Sequence, residues 1–251
     1  TFQNSTIENS YISANVWGIY DVNPENVIIN NDTISANIFG IDFDGNAINN
    51  YIENSNVNAN IFGIKINNGN NNYIENNIIN ANIFGINLGS SGNTINNDTI
   101  YVGSVFGLYE SSPNNISNVV TYGGIFGLYI VGNATNISSY NSQLGISING
   151  QGYIQNLTVS TGSIDISYNG NAFINYASGY PSTVNPGNGI TYNYAEGILL
   201  IGSPTANITF INVPSATSYV VEKIVGGIGN VISTNTTFSP SGFGVYALYY
   251  S

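Results

Sequence analysis

The chain has no Cys, no His, no Met and no Arg, and its two Lys, Lys65 and Lys223, stand far apart. Each absence removes a class of chemistry. Without Cys or His, zinc, haem, copper and iron–sulfur centres lose their usual ligands, and no disulfide can form. Catalytic triads built on His or Cys go with them. Without Arg, no basic surface can neutralise a phosphate backbone, so nucleic acid is excluded as a partner. Charged residues fill 6% of the 251 positions, against about 25% in an ordinary soluble domain. Thirteen are Asp or Glu, which sets the formal net charge at −11. No apolar run approaches the roughly 18 residues of a membrane-spanning helix. No signal peptide opens the chain, which reads as mature or trimmed. Carboxylates, Tyr, Ser, Thr and two Lys are the catalytic inventory that remains, and no cofactor is expected.

What is abundant is amide. The chain holds 46 Asn, 28 of them in the first hundred residues, beside 29 Gly and 19 Tyr. A hydrophobic content of 42% argues against a disordered polar chain, which has too little apolar surface to offset its entropy. Nine Asn-x-Ser/Thr sequons occur. Eight are expected to carry N-linked glycans on an exported protein: Asn4, Asn97, Asn115, Asn133, Asn136, Asn156, Asn207 and Asn235. The ninth, Asn31, falls in a structural column described next.

An aromatic–Gly pair recurs at Trp17, Phe39, Phe62, Phe84, Phe106 and Phe126, and Leu144-Gly145 continues the series. The spacings are 22, 23, 22, 22, 20 and 18. A period near 22 signals stacked units. Three apolar columns accompany the aromatic. Ten residues before it stand Ile7, Ile29, Ile52, Ile74 and Ile116, with Ile95 one place off. Five before it stand Ile12, Ile34, Val57, Ile79 and Tyr101. Two after it stand Ile19, Ile41, Ile64, Ile86, Leu108, Leu128 and Ile146. Spacing within each segment is two, which means strand. Three short strands per repeat predict a parallel β-helix, with like residues stacked on like and the aromatic column forming an inner ladder. Two Asn columns are expected to form corner ladders: Asn9, Asn31, Asn54, Asn76 and Asn118, and Asn15, Asn37, Asn60 and Asn82. Asn tolerates left-handed φ/ψ, and its amide can bond the coils above and below.

The I-x-N, I-x-A and F-G-I elements resemble the right-handed parallel β-helix repeats of pectate-lyase-like and NosD-like proteins over roughly residues 1–175. The resemblance implies a fold and says little of activity. Pectate lyases of this kind use clustered Asp for Ca²⁺ and a basic Arg or Lys, and the chain offers no Arg. Low charge, abundant Asn, Ser, Thr and Tyr, and missing Cys also resemble exported surface proteins of thermoacidophilic archaea.

The predicted fold is all-β: a right-handed parallel β-helix of about seven to eight coils over 1–176, a Gly/Pro linker over 177–188, and a small immunoglobulin- or fibronectin-III-like sandwich over 189–251. Candidate chemistry is sparse. Glu8, Glu53 and Glu75 share an outward column, and Asp42-x-Asp44-Gly45-Asn46 resembles the opening of a calcium loop. Asp42, Asp44, Glu53 and Glu75 are therefore the weak Ca²⁺ candidates. Asp42 and Lys65 should stack as an outward ion pair, in a column shared by Tyr20, Tyr109 and Tyr129. No catalytic residue is assigned. The expected function is structural: a glycosylated subunit of a cell-surface filament or layer, a homopolymer or a partner of other surface proteins. An uncapped first coil and the apolar terminal strand Val245–Tyr250 suggest head-to-tail strand addition. The alternatives are a carbohydrate-binding or carbohydrate-cleaving protein and an adhesin.

Overall fold

The computed structural model describes residues 2–150 and, beyond them, a series of strands between Tyr153 and Tyr250. Side chains are described for 2–143, 145–147, 220–222 and 229–235. Every described element is a strand, and the strands wind into a parallel β-solenoid of about six turns.

Each turn has three walls. The first is built from Thr6–Glu8, Ile28–Asn30, Tyr51–Glu53, Tyr73–Glu75, Thr94–Asn96 and Asn115–Ser117. Its ladder runs Ile7, Ile29, Ile52, Ile74, Ile95, Ile116. The second wall runs Ile12, Ile34, Val57, Ile79, Ile100. The third runs Ile19, Ile41, Ile64, Ile86, Leu108, Leu128. These columns and a fourth of Phe43, Ile66, Leu88 and Ile130 fill one continuous core. A single turn cannot bury this face, so stacking supplies the stability.

Seven to eight coils were expected, and about six form. The spacing after Phe106 shortens to 20 and 18 residues, and the chain absorbs the loss by fusing two walls. Asn133–Tyr140 is one strand that pairs with both Asn115–Ser117 and Val120–Gly123. Register shifts follow at Leu144/Ile146 and again in the pairing of Tyr153–Val159 with Asn171–Ala177. Further on, Gly189–Asn193 and Asn207–Ile211 pair in parallel, while Tyr219–Val225 pairs antiparallel with Ile228–Ser233 and Gly244–Tyr250. A sandwich over 189–251 is not shown by these pairings. Of the linker expected over 177–188, only Ala177 and Val184–Pro186 are described.

Three side-chain placements differ from expectation. The aromatic column is half-buried and faces outward, and the glycine after each aromatic faces in. A Cβ on Gly63 would collide with Ile79 and the Gly85 carbonyl, and one on Gly85 with Ile100 and the Gly107 carbonyl. Phe62 therefore points out while Gly63 and Ile64 are both buried, a break in alternation that lets the second and third walls approach closely. Tyr101 also faces out, because Ile100 occupies the ladder against Ile79. Asn15, Asn37, Asn60 and Asn82 do not have the positive φ of a left-handed corner.

Candidate functional site

Two corners organise the polar chemistry. At the first, Asn9, Asn31, Asn54, Asn76, Asn97, Asn118 and Asn136 have φ between 54° and 60°. Their amides bridge turns: Asn31 Nδ2 donates to Asn9 Oδ1 at 2.7 Å, Asn97 Nδ2 to Asn76 Oδ1 at 2.7 Å and Asn136 Nδ2 to Asn118 Oδ1 at 3.1 Å. At the second corner, Asn4, Asn26, Asn49 and Asn71 also have positive φ.

Behind each corner runs a buried polar ladder that the repeat period alone does not reveal. Asn50, Asn72, Asn93 and Asn114 are at most 4% exposed. Asn50 donates from both N–H and Nδ2 to Asn72 Oδ1, at 3.1 and 2.8 Å, and Asn72 does the same to Asn93 Oδ1, at 3.2 and 2.9 Å. Asn93 repeats it on Asn114 Oδ1. The other ladder is Asp32, Ser55, Asn77 and Asp98, in which each residue accepts the backbone N–H of the turn before. The signal was the dipeptide: Asn49-Asn50, Asn71-Asn72 and Asn76-Asn77 each couple a left-handed Asn to an inward one.

These ladders explain several sequons structurally. Asn31-Asp32-Thr33 and Asn97-Asp98-Thr99 each read corner Asn, ladder Asp, strand Thr. Asn4 and Asn136 are also corner residues. Asn115 and Asn133 stand in register on outward strand positions, and Asn235 is exposed. The side chains of Asn156 and Asn207 lie outside the described residues.

Where the first ladder ends, Glu110 takes over. Gly132 stands at the next Asn position, and Glu110 Oε1 accepts the N–H groups of Val131 and Gly132, each at 2.6 Å. Its Oε2 accepts Asn114 Nδ2 at 3.1 Å. The side chain is fully buried in the column of Leu88 and Ile130, and burial pushes its pKa up to about 7 despite these donors. Burial likewise holds Asp98 well above the ordinary carboxylate range, with Glu75 adding to the effect. Asp98 Oδ2 and Asp32 Oδ2 have no hydrogen-bond partner.

The Ca²⁺ candidates do not gather into one site. Glu53 and Glu75 lie in register on the first wall, with Asn30 and Asn96 beside them and Glu8 beyond Asn30. Asp42 and Asp44 are on the third wall, where Lys65 occupies them. Lys65 Nζ is 3.1 Å from Asp42 Oδ1 and 3.7 Å from Asp44 Oδ1. Trp17 Nε1 donates to Asp42 Oδ2 at 3.3 Å, and Asn67 Nδ2 to Asp44 Oδ1. Burial raises the Asp42 pKa, with Lys65 opposing it. No group of three or more Asp or Glu converges among the described residues.

Flanking this cluster is a run of stacked rings: Phe39, Phe62, Phe84, Phe106 and Phe126, with centroids 4.6–5.3 Å apart. Tyr109 and Tyr129 stack alongside at 5.0 Å. On the second wall Tyr101, Tyr122 and Tyr140 form a further stack at 5.0 and 5.2 Å. Ring faces in these ladders meet each other, and their edges are what solvent meets. No helix among the described residues is long and apolar enough to cross a membrane. No protein-family model, curated protein or solved structure matches the chain.

Proposed function

We propose that the protein is a non-catalytic extracellular structural protein, a glycosylated subunit of a cell-surface filament or surface layer. The observation that carries this reading is the use made of its polar groups. Asn50, Asn72, Asn93, Asn77 and Asp98 are all spent on joining one turn to the next. The buried Asp32, Asp98 and Glu110 bond backbone N–H groups, and Asp42 and Asp44 bond Lys65. These five carboxylates, committed to the chain's own turns, have little left for a substrate.

Right-handed winding accords with the strong preference of parallel crossovers for that hand. Exposed Tyr101 and Ile78 on the second wall suit lateral packing. An acidic habitat, as in thermoacidophilic archaea, accords with the upward pKa shifts of Asp42, Asp98 and Glu110. Among the described sequons, Asn115 and Asn133 suit a glycan, since both strand positions face out, whereas Asn97 and Asn136 donate their amides to the turn below.

Negative-stain microscopy of native material tests the reading directly and should show filaments or sheets. A chain that stays monomeric and monodisperse at neutral and acidic pH would overturn it. A carbohydrate-cleaving role rests on the in-register pair Glu53 and Glu75. It requires that Glu53→Gln combined with Glu75→Gln abolish cleavage of a polysaccharide.

A further inference from the structure

Lys65 is one of two cations in 251 residues, and its surroundings are unusual for a surface ion pair. Its Nζ sits over the Phe39 and Phe62 rings, 5.2 and 5.8 Å from their centroids. The Lys65 side chain is 17% exposed, that of Asp42 4% and that of Asp44 31%. An exposed pair would contribute little and would suffice at any outward position. This one is enclosed by rings, with a second carboxylate on the same amine.

The two carboxylates differ in kind. Asp42 is the buried one, 3.1 Å from Nζ, and its other oxygen is held by the Trp17 indole N–H. Burial favours its neutral form, which suits a group that must both take and give a proton. Asp44 is more open, 3.7 Å from the same Nζ, and its Oδ1 accepts the Asn67 amide. A donor on that oxygen polarises the carboxyl carbon and stabilises charge that develops there.

We propose that Lys65 and Asp44 are joined by an amide bond between adjacent turns, formed by the folded chain itself with Asp42 as the acid–base group. The step starts with transfer of a proton from the Lys65 ammonium to Asp44, which leaves an amine and a carboxylic acid side by side. The amine nitrogen attacks Cγ of Asp44, and the new oxyanion on Oδ1 is met by the Asn67 N–H. Asp42, neutral at the outset, gives its proton to the Asp44 hydroxyl, which leaves as water, and takes one back from Nζ. One N–C bond forms and one C–O bond breaks, one water is released, and one positive and one negative charge disappear. No oxidant or second reactant is needed. Holding the groups in contact supplies the effective concentration that condensation in water lacks. The inference stands apart from the surface-assembly reading and survives its failure.

The test uses the full folded chain, subsequently denatured and digested with a lysine-specific endoprotease. Free Lys65 and Lys223 would both be cut. The cross-linked chain is cut after Lys223 alone, because Lys65 no longer presents an amine. A second protease then releases a branched peptide holding Lys65 and Asp44, lighter than its two arms by one water. Cleavage after Lys65, with Asp44 and Lys65 at their full masses, would overturn the proposal and leave an ion pair only. A branch at Asp42 would overturn the assignment of roles. Asp44→Ala and Asp42→Ala should each restore cleavage after Lys65 while circular dichroism retains its strand signal. Asp42→Ala that still cross-links would likewise count against it.

Discussion

At the scale of the residue, Asn does two unlike jobs in neighbouring positions. Asn71 is needed for its backbone, because a positive φ of 55° brings Cβ against the following carbonyl and Asn tolerates this better than other side chains do. Asn72 is needed for its side chain, which accepts from Asn50 and donates to Asn93 and to the Ala47 carbonyl. Asn71→Gly should change the urea midpoint little, since Gly adopts this conformation freely. Asn72→Leu leaves the Asn50 N–H buried without an acceptor, a loss of about 1–3 kcal/mol for each group so stranded. Equal costs for the two variants would refute the division of labour. Glu110 is the residue whose pH behaviour can be isolated. Its folded pKa is raised from 4.5 to about 7, so the folded state holds the proton more tightly than the unfolded state. Its stabilising contribution is complete below pH 4.5 and is lost as pH rises through about 7. The span corresponds to a term on the order of 3 kcal/mol. Glu110→Gln cannot titrate, so urea midpoints measured across that window should fall less steeply with pH than those of the parent chain. An unchanged slope would mean that Glu110 is not the group responsible.

At the scale of the element, the glycine of each aromatic–Gly pair sets how closely two walls approach. Gly85→Ala places a methyl against Ile100 and the Gly107 carbonyl, and backbone cannot swing aside as a side chain does. Overpacking of this kind costs about 1–3 kcal/mol, readable as a lowered thermal midpoint. Ser91→Ala, at an exposed position in the connection between walls, serves as the control and should change little. The same pair shows what the sequence made legible. The 22-residue period, the parallel stacking and the Ile columns at positions 29, 52 and 74 followed from spacing alone, because register between identical turns preserves position. The direction of the aromatic did not follow. Phe ranks as a core residue, and only the steric demand at Gly63 turns Phe62 outward. Tyr101 misled for a related reason: a turn one residue shorter moved Ile100 into the ladder. The buried Asn ladders were hidden because Asn is ordinarily an exposed residue. A buried amide becomes acceptable only when the turns above and below satisfy it, which is a property of the stack.

At the scale of the whole molecule, the carboxylates define how the solenoid answers to acid. Most small proteins lose stability at low pH because carboxylates with depressed pKa values must be protonated. Here the resolved shifts run the other way. Asp42, Asp98 and Glu110 are all raised, each chiefly by burial. For a raised carboxylate, stability is greatest below the unfolded pKa and declines as pH climbs through the folded one. The three contributions therefore share a sign, and net charge adds to them. At neutral pH the chain carries a formal −11 with two Lys to offset its acids, and self-repulsion opposes the compact state. Acidification removes that repulsion without exposing a compensating positive surface, since the chain has no His and no Arg. The thermal midpoint should therefore rise from mildly alkaline solution down to about pH 4, the reverse of the usual trend. Differential scanning calorimetry across that range decides it. A midpoint that falls on acidification would show that the buried carboxylates are ionised in the folded chain, and the case for a protein made to persist in acid would fall with it.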